Sequence, residues 1–83
     1  MESREQLKNK TREYIQNSII SYLWQEPYST LRWIRRVIKE SQIQSTELKR
    51  VFRDLVREYG NHQRFRELFN ICRNAHFNYR LVE

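Results

Sequence analysis

The sequence predicts an all-α fold, a compact three- to four-helix domain, and three observations predict it. The 83 residues contain one Gly and one Pro, whereas a sheet-rich chain of this length needs several turn residues. Apolar residues recur at the i, i+3, i+4, i+7 spacing of a helix in four successive stretches. The 39% apolar content, with five Tyr, four Phe and two Trp, supplies a core for them, and the 31% charged content supplies their outer faces. A chain of this size is expected to form one domain, residues 1–83, burying only about 60 to 65% of the surface its unfolded form exposes. The core must therefore be closely filled or completed by a partner.

The first helix is expected from about Ser3 to about Trp24. Leu7, Thr11, Tyr14, Ile15, Ser18, Ile19, Tyr22 and Leu23 form its stripe, widened by Ile20 and Trp24. It stops before "QEPYS", because Pro27 lacks a donor and restrains Glu26. Leu31, Ile34 and Ile38, with Trp33 and Val37 alongside, form the second helix, which Ser29 or Thr30 can cap. The pattern fades at "SQIQS". Ser45 or Thr46 can cap the third helix, with Glu47 in its first turn facing the positive end of the dipole. Leu48, Val51, Phe52, Leu55, Val56 and Tyr59 form its apolar face, and Gly60 stands where a left-handed C-terminal cap is wanted. Phe65, Leu68, Phe69, Cys72 and His76 continue the periodicity into a fourth helix, with Asn61 as a cap candidate, and a tail completes the segment 61–83. In that tail Phe77, Tyr79 and Leu81 alternate as in a short strand.

The charge is uneven. The chain carries +6 overall, and residues 1–29 balance four basic with four acidic groups, whereas residues 30–59 hold eight basic and four acidic. The positive field belongs to the middle of the chain, which favours a polyanionic or acidic partner. A single Cys allows no internal disulfide and fits a reducing compartment. The N-terminal "MESREQLKNKTREY" has no apolar signal-like core, and no run approaches the roughly 20 apolar residues that span a bilayer. The expectation is an intracellular protein, cytoplasmic or in the nucleoid or nucleus, with no membrane partner.

The stretch "STLRWIRRVIKESQIQSTELKRVFRDLVREYG" resembles the helix-turn-helix core of winged-helix and related DNA-binding domains. A short helix with Leu31, Ile34 and Ile38, a lone apolar Ile43 in the turn, and Leu48, Phe52 and Leu55 at i, i+4, i+7 carry the likeness. The long first helix completes a tri-helical core over about residues 3–59. Two departures stand beside it. "SQIQ" replaces the usual Gly or small residue of the turn, and a helical pattern occupies the place of a two-stranded wing. The resemblance implies double-stranded DNA as partner and transcription regulation as role.

If Leu48, Phe52 and Leu55 face inward, Thr46, Lys49, Arg50, Arg53 and Arg57 lie on or beside the opposite arc, and the start of such a helix is what enters the major groove. Lys49, Arg50 and Arg53 are the readout candidates, since Arg bonds a guanine edge through two parallel hydrogen bonds. Arg32, Arg35, Arg36 and Lys39 on the preceding helix suit the phosphates. Against this, Asp54 and Glu58 stand at pairing distance in sequence from Arg50, Arg53 and Arg57, and mixed charges on a helix are commonly a solvated face. The order and charge of the helices are also similar to small basic three-helix mitochondrial assembly adaptors named for a Leu-Tyr-Arg tripeptide, although Leu31-Arg32-Trp33 stands in its place here. That likeness implies a protein-interaction module or assembly adaptor whose basic face meets an acidic partner.

Other chemistry finds little support. Cys72 and His76 share a helix face, with His62 a third donor, but a structural zinc site needs four ligands; no metal is expected. No phosphate loop, carboxylate pair or nucleophile triad stands out, so neither enzymatic activity nor a cofactor nor a small-molecule ligand is expected. Trp24, Tyr28 and Trp33 cluster around the first turn and are expected to pack the first helix on the second. Ile20 and Trp24, off the main stripe, give an edge for a homodimer or another protein partner.

Overall fold

A computed structural model describes residues 4–24 and 29–76, with side chains described for 10–24 and 29–75. Four helices follow in chain order: α1 (Arg4–Leu23), α2 (Leu31–Ser41), α3 (Ser45–Tyr59) and α4 (Gln63–His76). The described residues contain no strand. The all-α fold follows from the four stripes. The extended tail with its strand-like alternation at Phe77, Tyr79 and Leu81, like the helix stop at Pro27 and the packing of Tyr28, lies outside the described residues, as does the side chain of Leu7.

α1 is the hub, packed against each of the other three helices, while α3 also packs against α4. Ile15, Ile19, Tyr22 and Leu23 from α1 meet Ile34 and Ile38 from α2, Leu48, Val51, Phe52 and Leu55 from α3, and Phe65, Leu68 and Cys72 from α4 in one buried cluster. Phe52 stands edge-on to both Phe65 and Phe69, each with ring centres 5.5 Å away, at interplanar angles of 66° and 63°. That geometry sets the positive edge of one ring against the negative face of another and fixes α4 on α3.

Two arginines join the helices through polar contacts. Arg12 Nε of α1 lies 3.1 Å from Glu47 Oε1 of α3, so the acidic group in the first turn of α3 answers both the helix dipole and a neighbouring guanidinium. Arg64 of α4 donates from Nε to the Tyr22 carbonyl at 3.1 Å and from Nη2 to the Ser29 carbonyl at 3.0 Å, and its guanidinium lies 4.1 Å from the Tyr22 ring centre. The last turn of α1 has no basic residue of its own. Arg64 supplies one there, beside the negative end of the dipole, while its second bond holds the chain just before α2. Ser21 Oγ and Ser29 Oγ, 3.1 Å apart, add a hydrogen bond across the same junction.

Thr30 caps α2, its hydroxyl accepting from the Trp33 N–H at 3.0 Å. At the other end Gln42 adopts the left-handed conformation, φ 58° and ψ 28°, with its N–H donating to the Lys39 carbonyl. Ser41 Oγ then accepts from the Ile43 N–H at 3.2 Å, which closes the turn into α3. Ile43, the lone apolar turn residue, packs partly against the core.

Several expectations are corrected. Neither Ser45 nor Thr46 is the N-cap of α3; Gln44 takes that position in extended conformation without a side-chain bond, so α3 starts one residue earlier than a hydroxyl cap allows. Gly60 is right-handed at φ −60°, continuing the helical path with its N–H on the Val56 carbonyl. Asn61 does not cap α4; His62 does, its Nδ1 accepting from the Arg64 N–H at 3.2 Å. Tyr14 is 55% exposed and Val56 49% exposed, because each lies at the edge of its apolar arc, beyond the reach of the neighbouring helices. Trp24 is 69% exposed and does not pack α1 on α2. Trp33 packs against the core without it.

Candidate nucleic-acid interface

On α3 the buried residues Leu48, Val51, Phe52 and Leu55 commit one side of the helix to the core. At 3.6 residues per turn, Thr46, Arg50, Arg53 and Arg57 then fall in one line at steps of four, three and four, with Lys49 beside Arg53. All five are exposed. The i+3 and i+4 acidic neighbours do not neutralise the line: among the described residues, Arg50, Arg53 and Arg57 take part in no ion pair or hydrogen bond, and Glu47 is directed to Arg12 instead.

On α2 the inward-facing Ile34 and Ile38 place Arg32, Arg35, Arg36 and Lys39 together on the outer side, all exposed. These four, with Glu40, form one wall of an open groove of about 530 Å³ whose other side is reached by Ala75 of α4. The α3 line borders a different surface. It lines neither this groove nor the smaller concavity of about 310 Å³ between α1 and α3, where Lys10, Arg12, Glu13, Gln16 and Asp54 mix both signs of charge. The sequence-derived set of nine is thus brought together as two outward basic faces rather than one pocket.

The remaining candidates resolve differently. Cys72 is buried in the core, and burial pushes its thiol up to about 12, opposed in part by the charge of Arg35. A neutral thiol in that setting is a core side chain and not a nucleophile. His62 is exposed at the start of α4, and the side chain of His76 lies outside the described residues. No group of three or more His, Cys, Asp or Glu arranged for a metal occurs among the described residues, and no helix there is long and apolar enough to cross a membrane. Ile20 packs partly against the core. The Ile20–Trp24 edge therefore presents chiefly the indole of Trp24.

Arg64 and the Arg12–Glu47 pair were not distinguishable from surface charges by spacing. A signal for Arg64 does exist in the sequence: α1 ends without a basic residue, so its terminal carbonyls need a donor from elsewhere. Burial raises the Tyr22 phenol above its ordinary value, while Arg64 pulls it down and Glu67 pushes it up. The arginine is thus part of the packing around that ring, and its charge is not available to an outside ligand in the way those of α2 and α3 are. Comparison with protein-family models, curated proteins and solved structures finds no match to the chain.

Proposed function

We propose that the chain is a small DNA-binding protein, with a role in transcription regulation, that engages duplex DNA through α2, the turn at Gln42 and α3. The observation that supports this reading is the state of the arginines. Where this protein uses an arginine for its own structure, the guanidinium is half-buried and engaged by named partners, Arg12 in an ion pair with Glu47 and Arg64 in hydrogen bonds to two carbonyls. Arg32, Arg35, Arg36, Arg50, Arg53 and Arg57 are instead exposed and unpaired among the described residues. In this reading Lys49, Arg50 and Arg53 read base edges, with Thr46 beside them, and Arg32, Arg35, Arg36, Lys39 and Arg57 hold phosphates.

The test is titration of labelled duplex DNA at several salt concentrations. Five or six phosphate contacts predict a log–log salt slope of magnitude about 4 or more. Lys49→Ala with Arg53→Ala should abolish binding while leaving the helical content unchanged. No binding even at low salt would overturn the proposal. A second reading, a helical protein-interaction module, draws on the 69% exposure of Trp24. Under it, Trp24→Ser dissociates a dimer or a protein partner and leaves DNA binding unaltered.

A further inference from the structure

The groove between α2 and α4 has two sides, and the α3 line takes no part in it. Arg32, Arg35, Arg36 and Lys39 occupy positions i, i+3, i+4 and i+7 of one helix, so the four converge on a strip about 10 Å long at 1.5 Å per residue. Ala75 stands opposite with a methyl group, and among the described residues Glu40 is the one acidic group in the lining. None of the four cations has an ion pair among the described residues, so their charge is not taken up by a described carboxylate. Three of them are guanidiniums, whose planar forks match phosphate oxygens two at a time. The volume of about 530 Å³ falls within the range of small-ligand sites, about 300 to 1,000 Å³, and the strip is longer than a single phosphate group.

We infer that the α2–α4 groove is a seat for a compact polyphosphate anion, two or more linked phosphates, of which inorganic pyrophosphate is the smallest. The linked phosphates lie along the strip, with Arg32 and Lys39 at its ends and Arg35 and Arg36 at its centre. This seat goes beyond the duplex reading and does not depend on it, because a small anion is held best from more than one side, and the α3 line contributes to neither this groove nor the α1–α3 concavity. Arg50, Arg53 and Arg57 carry the same kind of charge and serve as the internal comparison.

The experiment is titration of the full chain with sodium pyrophosphate at low ionic strength, followed by calorimetry and by amide chemical shifts. Saturable binding is expected, with shifts concentrated in residues 32–40 and near residue 75. Loss of a charged hydrogen-bond partner corresponds to about tenfold in affinity, so R35Q/R36Q should weaken binding by about tenfold or more and R50Q/R53Q by less than about twofold. No saturable binding, or equal weakening by the two double variants, would overturn the assignment, since equal weakening is the mark of a diffuse positive field. All four substituted residues are exposed; thermal melts confirm folding, and R36Q alone replaces R35Q/R36Q if the double variant melts early.

Discussion

Replacing Arg64 by Ala removes a side chain that bonds both the Tyr22 carbonyl at the end of α1 and the Ser29 carbonyl shortly before α2. Two hydrogen bonds from a charged donor are lost, to the Tyr22 and Ser29 carbonyls at 3.1 and 3.0 Å, together with the guanidinium 4.1 Å from the Tyr22 ring centre. Hydrogen bonds to charged groups contribute about 1.5 to 3 kcal/mol each, and a cation over an aromatic ring about 0.5 to 2 kcal/mol. Arg64 is half-buried and its contacts share one side chain, so the lower ends apply and do not add in full, leaving about 2 to 3 kcal/mol. For a domain of this size that lowers Tm by about 10 to 20 °C. Arg64→Lys keeps the charge but not the fork, and should recover less than half of the loss. Urea denaturation followed by Trp fluorescence and far-ultraviolet circular dichroism measures the effect, with exposed Arg66→Ala as the control, expected within about 0.5 kcal/mol of the parent. If Arg64→Ala and Arg66→Ala unfold at the same urea concentration, the clasp does not contribute to stability and the reasoning fails.

Three further outcomes follow from single positions. Gln42→Gly should stabilise the domain by up to about 1 kcal/mol, because left-handed strain exceeds the added chain flexibility of Gly; a lower urea midpoint would mean the Gln42 side chain itself holds the turn. Gly60→Ala should destabilise by about 1 to 3 kcal/mol despite the right-handed φ, since the new Cβ would stand 2.5 Å from the Val56 carbonyl oxygen; a higher melting temperature would contradict it. The Cys72 thiol, pushed up to about 12 from an ordinary 9.0, should react with a disulfide reagent at pH 8 only on unfolding. Its raised value also gives the sign of the pH effect: the contribution to stability is complete below pH 9 and is lost as pH rises toward 12. Alkaline melts of parent and Cys72→Ser check this, the variant losing less stability across that window.

Helix positions were legible because each stripe is anchored by residues that have no alternative to burial, such as Ile34 and Ile38 in α2 or Leu48, Val51, Phe52 and Leu55 in α3. The width of each stripe was not. Periodicity says which arc is apolar but not how far the neighbouring helices cover it, so Tyr14, Val56 and Trp24 share the spacing of core residues and stand in solvent. Caps were partly legible. Thr30 follows from its position before Leu31, whereas Gln44 and His62 displace better formers because the chain path through each turn decides which residue is extended. Gly60 suggested a left-handed cap on its residue type, yet it is closeness to Val56 that excludes a side chain there. The exposure of the nine candidate contact residues was readable once the inward faces of α2 and α3 were known. The partners of Arg12 and Arg64 were not, since both depend on the docking of helices far apart in sequence.

The central place of α1 bears on how the chain is made. It leaves the ribosome before the helices that cover Ile15 and Ile19, so its longest apolar edge waits in water while the rest is synthesised, and an isolated helix is marginal under those conditions. α2 and α3 arrive next, and each finds its main contact on α1 rather than on the other. Arg64, which fastens the α1–α2 junction, comes about forty residues after the carbonyls it holds. A nascent chain halted before α4 therefore lacks both the clasp and the Phe65–Leu68–Cys72 part of the core. Protection of α1 from proteolysis should appear late in synthesis, in one step as α4 clears the exit tunnel.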